Sequence, residues 1–150
     1  DDIVLEIVIF IGTCVNDPKC APIFANSDLV AVLYDLMADK QEDDEMVQQI
    51  LNTFFKFLFF EPTRELVLHQ TMMVSIVLEL LSDKNPNIRV LVNAILDYVQ
   101  IHDDSWKQEI KAKRFTVHNQ VYMQFMQDYD EKYPLEEPED AMYDMMYYYD

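Results

Sequence analysis

LMADKQEDDEMV, residues 36–47, is echoed 44 residues later by LLSDKNPNIRVL, residues 80–91. Each copy runs from an apolar helix end through Asp-Lys into a short polar link, then enters another apolar helix. Whether this is an echo or a unit used repeatedly decides the fold. The same step superposes much more of the chain. Pro18 falls on Pro62, and Trp106 follows at the next step. Ile3, Val47 and Leu91 coincide, as do Ile7, Leu51 and Ile95, then Phe10, Phe54 and Tyr98, then Ile11, Phe55 and Val99. The spacing i, i+4, i+7, i+8 puts each set on one helical stripe, which predicts burial. Val32, Leu33 and Leu36 fall on Ile76, Val77 and Leu80, and Asp39-Lys40 on Asp83-Lys84.

Each repeat therefore reads as three helices. A short one opens at the proline position (PKCAPIFA, PTRELVLH, SWKQEIKAK), where a missing N–H has no helical partner to lose. A medium helix follows at 28–38 and 71–82, with Ser27 and Thr71 as N-caps. A long helix closes the unit at about 44–60 and 86–102, the second opened by Asn85-Pro86. Short, medium and long helices in a period near 44 predict an all-α, armadillo-repeat, right-handed solenoid. Residues 1–14 would be the third helix of an upstream unit, 18–60 and 62–104 two whole units, and 105–130 C-terminal capping helices. The capping stripe would be Phe115, Val121, Tyr122, Phe125, Met126 and Tyr129; residues 131–150 form an acidic, Tyr- and Met-rich tail. The tail reads either as an acidic disordered segment or as one that lies back on the solenoid.

Composition agrees. The 150 residues are 51% hydrophobic, enough for a real core, and include one glycine, too few for the tight turns of a sheet-rich fold. No stretch reaches 18 uncharged apolar residues, so membrane insertion is not expected. The first residues read as the interior of a helix, which predicts a longer protein. A net charge of -17 argues against a phosphate-backbone binder and favours a basic partner. Cys14 and Cys20 lack a metal-binding spacing and read as free thiols.

No catalytic chemistry is legible. His69, His102 and His118 sit in different elements; His102 occupies the stripe position of Cys14 and Leu58, which predicts a buried or half-buried structural histidine. Asp43, Asp44 and Glu45 could suggest a metal or acid/base cluster, but at a helix start carboxylates cap the helix and complement its dipole. The expectation is no enzyme, no cofactor and no metal. What remains is surface. Beside the buried stripe lies a ladder of Gln49, Asn52, Thr53 and Lys56, then Asn93, Asp97 and Gln100, whose amides could bond an extended peptide backbone. Glu42, Asp43, Asp44 and Glu45 form an acidic link that could face a basic partner. The ladder reads equally as an ordinary solvated face.

QEDDEMVQQILNTFFKFLFFEPTRELVLHQT (41–71), with DKNPNIRVLVNAILDYVQIHDDSWKQEIKAKRFTVHN (83–119), resembles the C-terminal armadillo region of kinesin-associated protein, the non-motor subunit of heterotrimeric kinesin-II. The likeness spans about Ile7 to Met126. It rests on Gln41 to Glu45, Thr63-Arg64, Asp83-Lys84-Asn85, Ile88-Arg89, and Trp106 with Phe115, His118 and Asn119. From Tyr133 onward only acidity and tyrosine content are shared. The resemblance implies a cytoplasmic, microtubule-associated adaptor. It would bind the tails of two kinesin-II heavy chains (the heterodimer) and link them to cargo or cargo-adaptor proteins, including those bound for cilia and flagella. It implies no nucleic-acid partner. The alternative is a generic armadillo-repeat protein–protein scaffold with an unrelated basic partner.

Overall fold

In the computed structural model residues 2–133 are described, and every element among them is helical. The elements are α1 (Asp2–Cys14), α2 (Cys20–Ala25), α3 (Leu29–Asp39), α4 (Asp44–Phe57), α5 (Glu61–Gln70) and α6 (Met73–Glu79), which tightens into a 3-10 turn at Leu80–Ser82. Then come α7 (Pro86–His102), a 3-10 turn at Asp104–Trp106, α8 (Lys107–His118) and α9 (Gln120–Lys132). The chain divides into two compact parts between Arg114 and Phe115. Most of the acidic tail expected at 131–150 lies outside the described residues.

In the first part the long helices lie side by side, α1 against α4 and α4 against α7. The shorter helices also pair, α2 with α5, and pack back on their neighbours. Local chemistry sets the boundaries. Asp43 is the N-cap of α4, its Oδ1 accepting from Met46 N at 3.1 Å, and Asn85 caps α7, its Oδ1 accepting from Asn87 N at 2.9 Å. Pro86 sits in the first turn of α7 and Pro62 in that of α5, as their ring geometry favours. Ser27 and Thr71 are not the N-caps expected of them: those positions fall to Asp28 and Met72, which make no side-chain cap bond, while the Ser27 and Thr71 hydroxyls, one residue earlier, accept from Leu29 N and Met73 N, each at 3.2 Å. The two medium helices begin one and two residues later than the sequence spacing predicts. The first short helix begins at Cys20 rather than Pro18, because Asp17 folds the preceding turn, its Oδ1 accepting from Lys19 N. α4 ends at Phe57, earlier than expected, where Thr63 Oγ1 donates to Phe57 O at 2.7 Å and Arg64 donates to Leu58 O at 3.1 Å.

The repeated stripe is buried in the middle of the stack. Val47, Leu51 and Phe54 on α4, and Ile95 and Val99 on α7, are buried, while Leu91 and Tyr98 are half-buried. An edge-to-face trio, Phe24, Phe54 and Phe57, anchors the core under α2. On α1 the expectation fails. Ile3, Ile7 and Phe10 are exposed, and Val8, Gly12 and Val15 are buried instead. The helix has two apolar flanks, and α4 covers the other one. Gly12 is placed there by close approach, since a Cβ on it would lie 2.8 Å from Thr53 Oγ1.

His102 is a second correction. It is exposed, not buried, and its ring lies against Tyr98 with centroids 4.8 Å apart. Leu58, at the same register, is sealed in the core. His102 instead ends its helix, followed at once by the Asp103 cap and the 3-10 turn.

No single helix among the described residues is long and apolar enough to cross a membrane. The pair α5 and α6 reaches the length only across a 72° bend, and its apolar residues Val67, Leu68, Met73, Val74, Val77 and Leu78 are buried.

In the second part, Phe115, Tyr122, Phe125, Met126 and Tyr129 are exposed, and Phe125, Tyr129 and Tyr133 form a run of tilted ring pairs along α9. Asn119 closes the preceding helix by donating from Nδ2 to Phe115 O.

Candidate partner-binding surface

The ladder residues are placed by the flanks of α4 and α7, and most are already engaged. Thr53 is the clear departure from the sequence reading. It is buried against Gly12, and its hydroxyl donates to Gln49 O at 2.9 Å, so it offers nothing to a partner. Lys56 Nζ donates to Gly12 O at 2.7 Å, tying α4 to the last turn of α1. Asn93 Nδ2 donates to Arg89 O at 2.9 Å, and Gln100 Nε2 donates to Leu96 O at 3.4 Å. Both amide nitrogens therefore turn back on their own helix, four residues earlier, and both residues are half-buried. Asp97 is exposed and pairs with Arg114 at 2.8 Å. Gln49 and Asn52 are half-buried.

The acidic link is partly structural. Glu42 and Glu45 are exposed. Asp43 caps α4. Asp44 Oδ2 accepts from Asn85 Nδ2 at 3.1 Å, which joins the link before α4 directly to the link before α7. Arg89 secures the second link from the other side, donating to Asp83 O at 2.6 Å and Lys84 O at 3.0 Å.

These bonds produce an asymmetry of charge. All three arginines, Arg64, Arg89 and Arg114, donate to main-chain carbonyls, as does Lys56. Lys56 and Arg64, held against carbonyls at the C-terminal ends of α1 and α4, are favourably placed for the helix dipole, whereas Arg114 reaches Asn93 O in the middle of α7. Lys113 is paired with Glu79 and Lys107 with Asp104. The chain carries 28 acidic residues against 11 basic ones, so the outward field is dominated by carboxylates.

One acidic group is tuned by its surroundings. Asp103 is held below the usual carboxylate range, chiefly because Ser105 donates to it from its hydroxyl and its main-chain N–H, with nearby His69 adding a smaller electrostatic effect. His69 in turn sits 3.4 Å from Glu65.

The sequence reading missed an aromatic cluster that joins α4 to α7. Phe55 and Phe59 lie 4.9 Å apart, Phe59 and Tyr98 5.1 Å apart, and His102 continues the row beyond Tyr98. The signal was present as two i, i+4 aromatic pairs, 55/59 and 98/102, but their meeting depends on helix packing. No group of three or more histidine, cysteine or acidic residues among the described residues is arranged to hold a metal ion. Cys14 and Cys20 are free and half-buried.

Every element among the described residues is thus helical, the long helices of the first part lie side by side, and acidic residues outnumber basic ones in the sequence. Residues 1–148 match the family model described as kinesin-associated protein, and the chain belongs to that family. It is accordingly an accessory protein that associates with kinesin motor subunits. No solved structure matches the chain.

Proposed function

We propose that the chain is a non-enzymatic adaptor of heterotrimeric kinesin-II. It would bind the heavy-chain tails and link them to cargo for microtubule-based transport, including transport in cilia and flagella, and work in the cytoplasm. The family match over residues 1–148 carries this reading. Its architecture is read as an armadillo solenoid with units at 18–60 and 62–104, the third helix of another unit at 1–14, and capping helices at 105–130. The side-by-side packing of α1, α4 and α7 supports that arrangement.

The mechanism would be capture on a rigid surface without covalent chemistry. The half-buried amides Gln49, Asn52, Asn93 and Gln100 and the exposed Glu42 and Glu45 would receive a basic tail segment. The excess of exposed carboxylates supports a basic partner, because a negative field steers such a segment toward the surface. The test is a low-salt pull-down with a heavy-chain tail, comparing the native chain with Glu42→Lys/Glu45→Lys, which spares the Asp43 cap. Capture by the native chain and loss in the variant is the expected pattern. Failure of the native chain to capture the tail would remove the proposal.

A further inference from the structure

The row formed by Phe55, Phe59, Tyr98 and His102 is not part of the core trio. Phe59 is 44% exposed and His102 is exposed, while Phe55 and Tyr98 are half-buried beneath them. Ile101, 73% exposed, extends the apolar surface beside His102. The ring pairs Phe55–Phe59, Phe55–Tyr98 and Phe59–Tyr98 meet edge to face and Tyr98–His102 is tilted, and of the four side chains Phe59 and His102 are the exposed ones. Immediately after His102 come Asp103 and Asp104, the latter with its side chain 84% exposed, although Lys107 is paired with it. α5 brings Glu65 and His69 to the same end of the stack, His69 within electrostatic reach of Asp103.

We infer that this shelf is a docking site for an arginine side chain of a basic partner segment. The reasoning is one of complementary chemistry. An exposed aromatic face carries a negative quadrupole and attracts a cation. The adjoining Asp104 carboxylate, largely exposed although paired with Lys107, adds negative charge at the end of the row and favours a cationic occupant over a purely apolar one. A guanidinium meets both demands, since it is planar, weakly hydrated and able to stack on a ring while its edge bonds a carboxylate. An ammonium, compact and strongly hydrated, satisfies the carboxylates but gains less on the rings. The inference rests on the adaptor reading for the existence of a basic partner, and adds where one of its residues sits and which residue it is.

The test uses the whole chain and three peptides of alternating glycine with arginine, lysine or citrulline. Citrulline keeps the plane and removes the charge; lysine keeps the charge and removes the plane. The arginine peptide should bind most tightly, with the lysine peptide about fivefold weaker and the citrulline peptide weaker still. Phe59→Ala and His102→Ala, both at exposed positions, should each weaken the arginine peptide about fivefold and narrow its advantage over lysine. On the native protein the ring resonances of Phe59, Tyr98 and His102 should shift on titration, a readout that does not depend on any variant folding. Equal binding of arginine and lysine peptides, or unmoved ring resonances, would overturn the shelf. The two readings fail separately. A motor-tail complex indifferent to Phe59→Ala removes the shelf and keeps the adaptor. A shelf that binds arginine in a chain that captures no motor tail does the reverse.

Discussion

One missing Cβ sets how closely the first two long helices approach. Gly12 faces Thr53, and an added methyl would lie 2.8 Å from the threonine hydroxyl oxygen, a buried group already bonded to Gln49 O. Alanine favours a helix over glycine by up to about 1 kcal/mol, but overpacking costs about 1–3 kcal/mol, so Gly12→Ala should be a net destabilisation. Adding Thr53→Ala should restore most of the loss, because it removes the atom that is hit. Urea denaturation of the two single variants and the double variant would show this as strong coupling; a Gly12→Ala variant more stable than the native chain would refute the close-contact account. Asp103 offers a second residue-scale check. Its pKa is depressed in the folded state, so its contribution is present above the ordinary value of 3.8 and is lost as pH falls through and below it. The group is exposed, so the effect is small after solvent screening. The stability gap between the native chain and Asp103→Asn should be widest near neutral pH and close under acid. A gap that grows on acidification would contradict the assignment.

The helices take their boundaries from nearby side chains, which is why so many were legible in the sequence. Asp43 and Asn85-Pro86 announce helix starts through interactions two or three residues long, and α4 and α7 begin where those signals place them. What the sequence could not convey was the outcome of competition between flanks. α1 has apolar residues on both sides, and only its packing against α4 decides that Val8 and Gly12 are buried while Ile7 and Phe10 are exposed. Thr53 was read as a surface rung for the same reason, since polarity alone does not reveal a neighbouring glycine. His102 and the aromatic shelf were missed because α4 and α7 must pack before the rings meet. Four of the residues that carried the family resemblance, Thr63, Arg64, Asn85 and Arg89, prove to cap and clip helix ends and links. Asn85 does this twice, capping α7 and bonding Asp44 of the preceding link. Asn85→Ala should therefore cost more than Asp43→Ala, which loses a cap worth about 1 kcal/mol. A double-mutant cycle on Asn85 and Asp44 should give a coupling of about 0.5–1.5 kcal/mol. A coupling of zero would mean that the links before α4 and α7 are energetically independent.

At the scale of the whole molecule, the repeat and the charge act together. In the first part the packing of α1 on α4 and of α4 on α7 supplies the frame, and the arginines that clip it donate to main-chain carbonyls, while the 28 acidic residues outnumber the 11 basic ones. Under the proposed function, such a surface would hold a basic motor tail by charge over much of its area and by shape at particular points. The most direct test is the dissociation constant for a kinesin-II heavy-chain tail, measured as ionic strength rises. Measurable binding at low salt that weakens steeply as the Debye length shrinks from about 30 Å at 0.01 M to about 8 Å at 0.15 M is the expected result. Absence of binding at low salt, or an affinity indifferent to salt, would contradict it.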